Sequence, residues 1–155
     1  MPFVPDDFDV PPRRDLGWAR LRPLRAADNA ADFSAWHTSV DHIRATPGFA
    51  GRAWPVADYS LEQNAADLRE HEADFADRKG FTYTVLDPDD AVIGCVYIYP
   101  PLPDDPPGAD ANVRSWVDAD HATRDADLYR AVVDWLAVDW PFTHVVYASR
   151  ASAAG

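Results

Sequence analysis

The chain of 155 residues holds one cysteine, Cys95. That excludes an intramolecular disulfide and any cysteine-based zinc cluster. Cys95 lies midway along an apolar stretch, which marks a small buried residue and not a nucleophile. Lysine is as scarce: Lys79 is the only one, and arginine supplies the remainder of the 14 basic residues. No apolar run approaches the length that spans a bilayer, and no basic segment followed by an apolar one opens the chain. A cytoplasmic protein with no membrane partner is therefore expected. There is no Gly-x-Ser-x-Gly element, no phosphate-binding glycine–lysine loop and no dinucleotide fingerprint, which removes the serine-hydrolase, nucleoside-triphosphatase and dinucleotide readings. The five histidines form no ligand spacing with Asp or Glu, so no metal is expected.

Acid is abundant. Asp and Glu number 26, and the net charge is −12. Such a surface repels phosphate backbones and anionic lipids, so no nucleic-acid partner is expected. It suits a cationic partner such as an amine, or serves solubility alone. A hydrophobic fraction of 47% at this length fits one domain with a real core. Residues 1–17, rich in Pro and Asp and without periodicity, read as an arm pinned to the surface by Phe3, Val4 and Phe8. Residues 18–150 read as the domain, and residues 151–155 as a frayed end.

Within the domain, residues 18–24 alternate as a first strand, with Pro23 at an edge or a bulge. Residues 26–37 read as a helix with Ala30, Phe33 and Trp36 on one face. Residues 41–57 read as a loop, punctuated by Pro47-Gly48 and Trp54-Pro55. Ser60-Leu61-Glu62-Gln63 is a capping box opening a helix with the stripe Leu61, Ala65, Leu68, Glu72 and Phe75. Gly80 is placed just beyond the end of that helix. Residues 81–86 and 91–99 form a hairpin around Asp87-Pro88-Asp89-Asp90. A strand over 113–117, a helix over 128–140 burying Leu128, Val132, Trp135 and Leu136, and a strand over 143–148 complete the chain. The order β-α-α-β-β-β-α-β predicts an α/β protein, an α+β mixed sheet that is antiparallel first and parallel last.

Two stretches of text carry a resemblance. Leu21-Arg22-Pro23-Leu24-Arg25-Ala26-Ala27-Asp28 is similar to the opening strand and first helix of the GNAT superfamily of acyl-CoA N-acyltransferases. Phe81 to Leu86, a turn, and Val92-Ile93-Gly94-Cys95-Val96-Tyr97-Ile98 resemble its central hairpin. The resemblance covers residues 18–147 and implies a GNAT-like fold, truncated after the fifth strand. It implies acetyl-CoA as cofactor, wedged between the strands at 113–117 and 143–148, with its pantetheine arm along the backbone of Trp116, Val117 and Asp118. It places the diphosphate on the turn before the last helix, opposite Arg124. The activity implied is transfer of an acetyl group to a small amine. The turn departs from the family pattern: it has Asp118, Asp120, Asp125 and Asp127, and lacks the usual glycines. A domain of this fold without acetyl-CoA activity, serving as a ligand-binding or regulatory module or doing other chemistry in the cleft, is the alternative.

Candidate residues follow from position. Arg114, Trp116 and Asp118 share one strand face, either a pocket wall or a packing surface. Tyr83 and Tyr97, with Tyr99, line the substrate side of the hairpin or simply pack. His42, Arg44 and Trp54 sit in the loop at 41–57, where substrate contact or a solvated loop are both open. His121 is a base or a surface histidine. A sheet that ends at the strand from Thr143 to Ala148 leaves an edge for a homodimer to cover.

Overall fold

Alternating side chains build a mixed sheet in the computed structural model, which describes residues 2–150. Its strands are β1 (Arg14–Asp15), β2 (Arg20–Pro23), β3 (Phe81–Leu86), β4 (Val92–Tyr99), β5 (Ala111–Val117) and β6 (Val145–Tyr147), in that spatial order. Every pair is antiparallel except β5 with β6, as the strand order predicted. The helices are α1 (Asn29–His37), α2 (Val40–Ala45), α3 (Leu61–Ala76) and α4 (Asp125–Asp139). None of them is long and apolar enough to cross a membrane.

One sheet face is dry because α4 lies across it. Leu128, Val132, Trp135 and Leu136 are buried, the stripe that the 3.6-residue period predicts. They pack with Leu21, Tyr83, Val96 and Val113, and Val4 of the N-terminal arm closes the edge. Each such large apolar side chain contributes about 1.5–3 kcal/mol on burial. Phe3 stacks on Phe81 and Phe142, and residues 14–15 of the expected arm form strand β1 instead. The other face carries α1, α2 and α3 over a second cluster with Trp36, Ile43, Phe49, Cys95 and Trp116.

Several boundaries differ from the sequence reading. The first helix opens with a 3₁₀ turn over Ala26–Asp28, and its inward face is Asp32, Ala35 and Trp36, while Ala30 is exposed. The loop at 41–57 contains the short helix α2, too brief to show a period. The capping box of α3 is present, with Ser60 and Gln63 bonded reciprocally at 3.0 and 2.8 Å. Its inward residues are Asn64 and Leu68, while Leu61 is exposed. Gly80 does not terminate α3. Arg78 takes the left-handed conformation instead (φ 59°), with the Arg78 and Lys79 amides returning to the carbonyls of Phe75 and Asp74. The expected frayed end at 151–155 lies outside the described residues.

Gly94, which pairs with Val117 across the sheet, has a backbone reason to be glycine. A Cβ there would sit 2.4 Å from the Trp116 carbonyl oxygen, a backbone atom that cannot turn aside. Gly94→Ala should therefore cost about 1–3 kcal/mol, read from urea unfolding midpoints. An unchanged midpoint would show that β4 and β5 part easily.

Candidate functional site

The α1–α3 face is not fully packed. Between α3, the segment joining α2 to α3, and strands β4 and β5 lies a cavity of about 450 Å³. Aromatic residues of the joining segment, Phe49, Trp54 and Tyr59, roof it, and Tyr97, Tyr99 and Arg114 of the strands floor it. Asp32, Asp67, Glu70 and Asp74 bring carboxylates to its walls.

Three of these acids are held by specific bonds. Asp32 is 4% exposed. Asn64 Nδ2 donates to its Oδ2 at 3.1 Å and to Asn29 Oδ1 at 2.8 Å, while Trp36 Nε1 donates to Asn64 Oδ1 at 3.1 Å. The second Asp32 oxygen has no hydrogen-bond partner among the described residues. Burial is the main reason the Asp32 pKa is pushed up to about 6; the Asn64 bond opposes it, and the charges of Asp28 and Asp67 add to it. The Tyr59 hydroxyl donates to Asp67, and burial together with that bond pushes its own pKa up to about 12.

Asp74 anchors a relay. The Tyr99 hydroxyl donates to Asp74 Oδ2 at 2.9 Å, so its oxygen is left to accept from His71 Nδ1 at 2.8 Å. Nδ1 then carries the proton, and Nε2 is the free acceptor, with no partner among the described residues. Burial lowers the His71 pKa against the raising charges of Asp67, Asp74 and Glu70, with Arg114 adding to the lowering. The imidazole is therefore neutral near pH 7 and competent as a base.

The residues singled out from sequence divide cleanly. Trp54 and Tyr97 line the cavity, as does Arg114. Tyr83 does not. It faces α4, its ring 5.0 Å from that of Trp135, and its hydroxyl donates to the Pro11 carbonyl at 2.6 Å. Tyr83 pairs with Val96, and Val96 and Tyr97 point to opposite faces. His42 and Arg44 also lie outside. The α2 backbone turns Ile43 inward, and Arg44 Nη1 donates to the Pro55 carbonyl at 2.7 Å. The sequence alone does not single out Asp32, Asp67, Glu70, His71 and Asp74, which line the cavity as well. The (i, i+3, i+4) spacing of Asp32, Ala35 and Trp36 was the available signal for the first.

The β5–β6 cleft, where the resemblance places a cofactor, is filled by protein. Pairing between the strands runs from Ala111 with Val145 to Val113 with Tyr147. Beyond it, the Arg150 guanidinium donates to the Ser115 carbonyl at 2.8 Å and to Asp125 Oδ2 at 2.7 Å. The two side chains are 4% and 18% exposed. Trp116 is buried with its Nε1 bonded to the Tyr97 hydroxyl (2.9 Å), and Val117 belongs to the α4-side core. Asp118 Oδ1 accepts from the His121 amide at 3.0 Å and from His121 Nδ1 at 2.6 Å. Arg124 stacks on Trp18 (4.8 Å) and pairs with Asp127 (3.1 Å). In this arrangement the residues do not fit an acyl-CoA: an arginine covers the Ser115 carbonyl, and carboxylates hold the turn.

The buried acid gives a direct test. A carboxyl whose folded pKa is raised stabilises the fold fully below its unfolded pKa, near 3.8, and loses that contribution as pH rises through about 6. Across that window wild type should lose on the order of 3 kcal/mol relative to Asp32→Asn, measured by urea unfolding. Parallel pH courses for the two proteins would refute the assignment.

No protein-family model matches the chain, and no curated protein matches it in sequence. Solved structures do match in shape. The ribosomal-protein-S5-alanine acetyltransferase of Vibrio fischeri aligns at 17% identity with a TM-score of 0.59, over 83% of this chain and 67% of that one. The apo ribosomal L7/L12 alpha-N-protein acetyltransferase RimL aligns at 12% identity with a TM-score of 0.62, over 84% and 67%. The GNAT domain of PAT from S. lividans aligns at 20% identity with a TM-score of 0.55, over 88% and 74%. With its mixed sheet, its α1–α3 layer and the parallel β5–β6 pair behind α4, the chain has the GNAT fold of the acyl-CoA N-acyltransferases.

Proposed function

We propose that the chain is a GNAT-type N-acyltransferase whose acyl acceptor is a small amine held in the acidic cavity. The observation that carries this reading is the gathering of four carboxylates and a histidine, its Nδ1 bonded to Tyr99, around one 450 Å³ space. An amine is an ammonium near neutral pH, and Asp32, Asp67 and Glu70 draw it in. An ammonium cannot attack a carbonyl, so it must first lose a proton. His71 Nε2 is the group to take it, because Nδ1 is already committed to Tyr99. The imidazolium formed would lie among Asp67, Glu70 and Asp74, which stabilise it.

The acyl donor that the fold implies is acetyl-CoA, and the Arg150–Asp125 pair stands in its way. That pair favours a second reading: a GNAT-fold domain that keeps the ligand cavity and has no acyl-CoA activity. Removing one member would leave a buried charge, so the informative variant is Asp125→Ala combined with Arg150→Ala. Calorimetric titration with acetyl-CoA and with CoA, at low and moderate salt, decides between the readings. Under the first reading the double variant binds micromolar acetyl-CoA, and wild type binds it too, more weakly. Absence of binding by both proteins at millimolar ligand selects the second.

The proposal extends to assembly. β6 is the last strand of the described sheet, and an apolar groove of Tyr129, Val133, Leu136, Ala137, Phe142 and Val145 runs beside it. A homodimer covering that edge should sediment as a dimer at micromolar concentration; a monomer overturns it.

A further inference from the structure

Arg114 is the one arginine among the residues lining the acidic cavity. Its guanidinium lies 5.7 Å from the ring centroids of both Phe49 and Tyr97. Among the described residues it makes no hydrogen bond and no ion pair, although four acids line the same space. A guanidinium carries five donors, and those of Arg114 open onto the cavity, since none of its nitrogens is a buried atom without a partner. Burial lowers its pKa, and the charge of Arg52 adds to the lowering; Arg52 itself is turned to the Gly48 carbonyl at 2.9 Å. This corner of the cavity is therefore positive and lacks an anion.

The opposite wall is negative. Asp67, Glu70 and Asp74 belong to α3, which packs over β3. Arg114 belongs to β5, two strands away, and two strand spacings amount to roughly 10 Å. Tyr97 and Tyr99 of β4 form the floor between them. The two charges are thus separated across the sheet by a largely aromatic surface.

We infer that the cavity selects an amine with a carboxylate at its far end, an ω-amino carboxylate, with the ammonium against the α3 acids and the carboxylate on Arg114. This rests on the reading of the cavity as an amine site and names its ligand class. The ligand places each charge against its opposite, and its alkyl chain lies over Tyr97 and Tyr99. A diamine of the same length would put a second cation on Arg114, and a plain alkylamine would leave the guanidinium donors unmet.

The test is calorimetric binding of three probes of matched length to the protein: 6-aminohexanoate, hexylamine and 1,6-diaminohexane. The expected order is 6-aminohexanoate tightest, by about tenfold or more over hexylamine, with the diamine weakest. In Arg114→Gln the advantage over hexylamine should vanish, with hexylamine binding at least as tightly as it binds wild type, which also shows that the variant folds. Wild type alone decides the matter if that variant does not fold. If hexylamine or the diamine binds wild type as tightly as 6-aminohexanoate, the inference is wrong and the amine site stands. If none of the three binds at millimolar concentration, the amine site falls and the inference with it.

Discussion

The buried amide of Asn64 holds the cavity in shape. Its oxygen accepts from Trp36, and its nitrogen donates to Asp32 and Asn29, so one side chain joins α3 to α1 through three bonds. Each bond contributes about 1 kcal/mol net, but an unmet partner at this depth costs about 1–3 kcal/mol. The geometry depends on it in two ways. It fixes which oxygen of Asp32 is bonded, Oδ2, and which is not. It also holds Trp36 in place, and Trp36 supports Trp54 in the roof at 5.2 Å between ring centroids.

Acidity has different roles in different places. On α3, carboxylates are spaced so that Asp67 and Asp74 take tyrosine hydroxyls while still lining a cavity. In the turn before α4, Asp118 caps the 3₁₀ turn, and in the first turn of α4 Asp127 takes both Arg124 and Arg130. Asp125 holds Arg150 in the cleft of the sheet. A net charge of −12 does not distinguish these uses. Only the placement of each carboxylate against a neighbour does.

Much of the fold was legible from periodicity. The hairpin of β3 and β4, the capping box of α3 and the buried stripe of α4 all declare themselves locally. The facing of the tyrosines was legible only in part: Thr82 and Thr84 alternate with Phe81, Tyr83 and Val85, which puts Tyr83 on the more apolar side of β3, but all six residues are buried and the strand itself does not say which helix covers that side. Asp32 was hidden because a charged residue in an inward stripe reads as a surface position until its partner is known. That partner, Asn64, is 32 residues away. Arg150 is hidden for a similar reason: it follows a three-residue strand, and its role depends on Asp125, 25 residues earlier.

The aromatic roof has an optical consequence. Trp54 lies 5.2 Å from Trp36, 6.2 Å from Trp116 and 6.4 Å from Tyr97, ring centroid to ring centroid. Indoles this close couple their excited states, and one of them borders the empty space directly. A molecule settling beneath Trp54 alters the polarity and orientation felt by the whole set. Near-ultraviolet dichroism and intrinsic emission therefore report occupancy of this cavity without any added label.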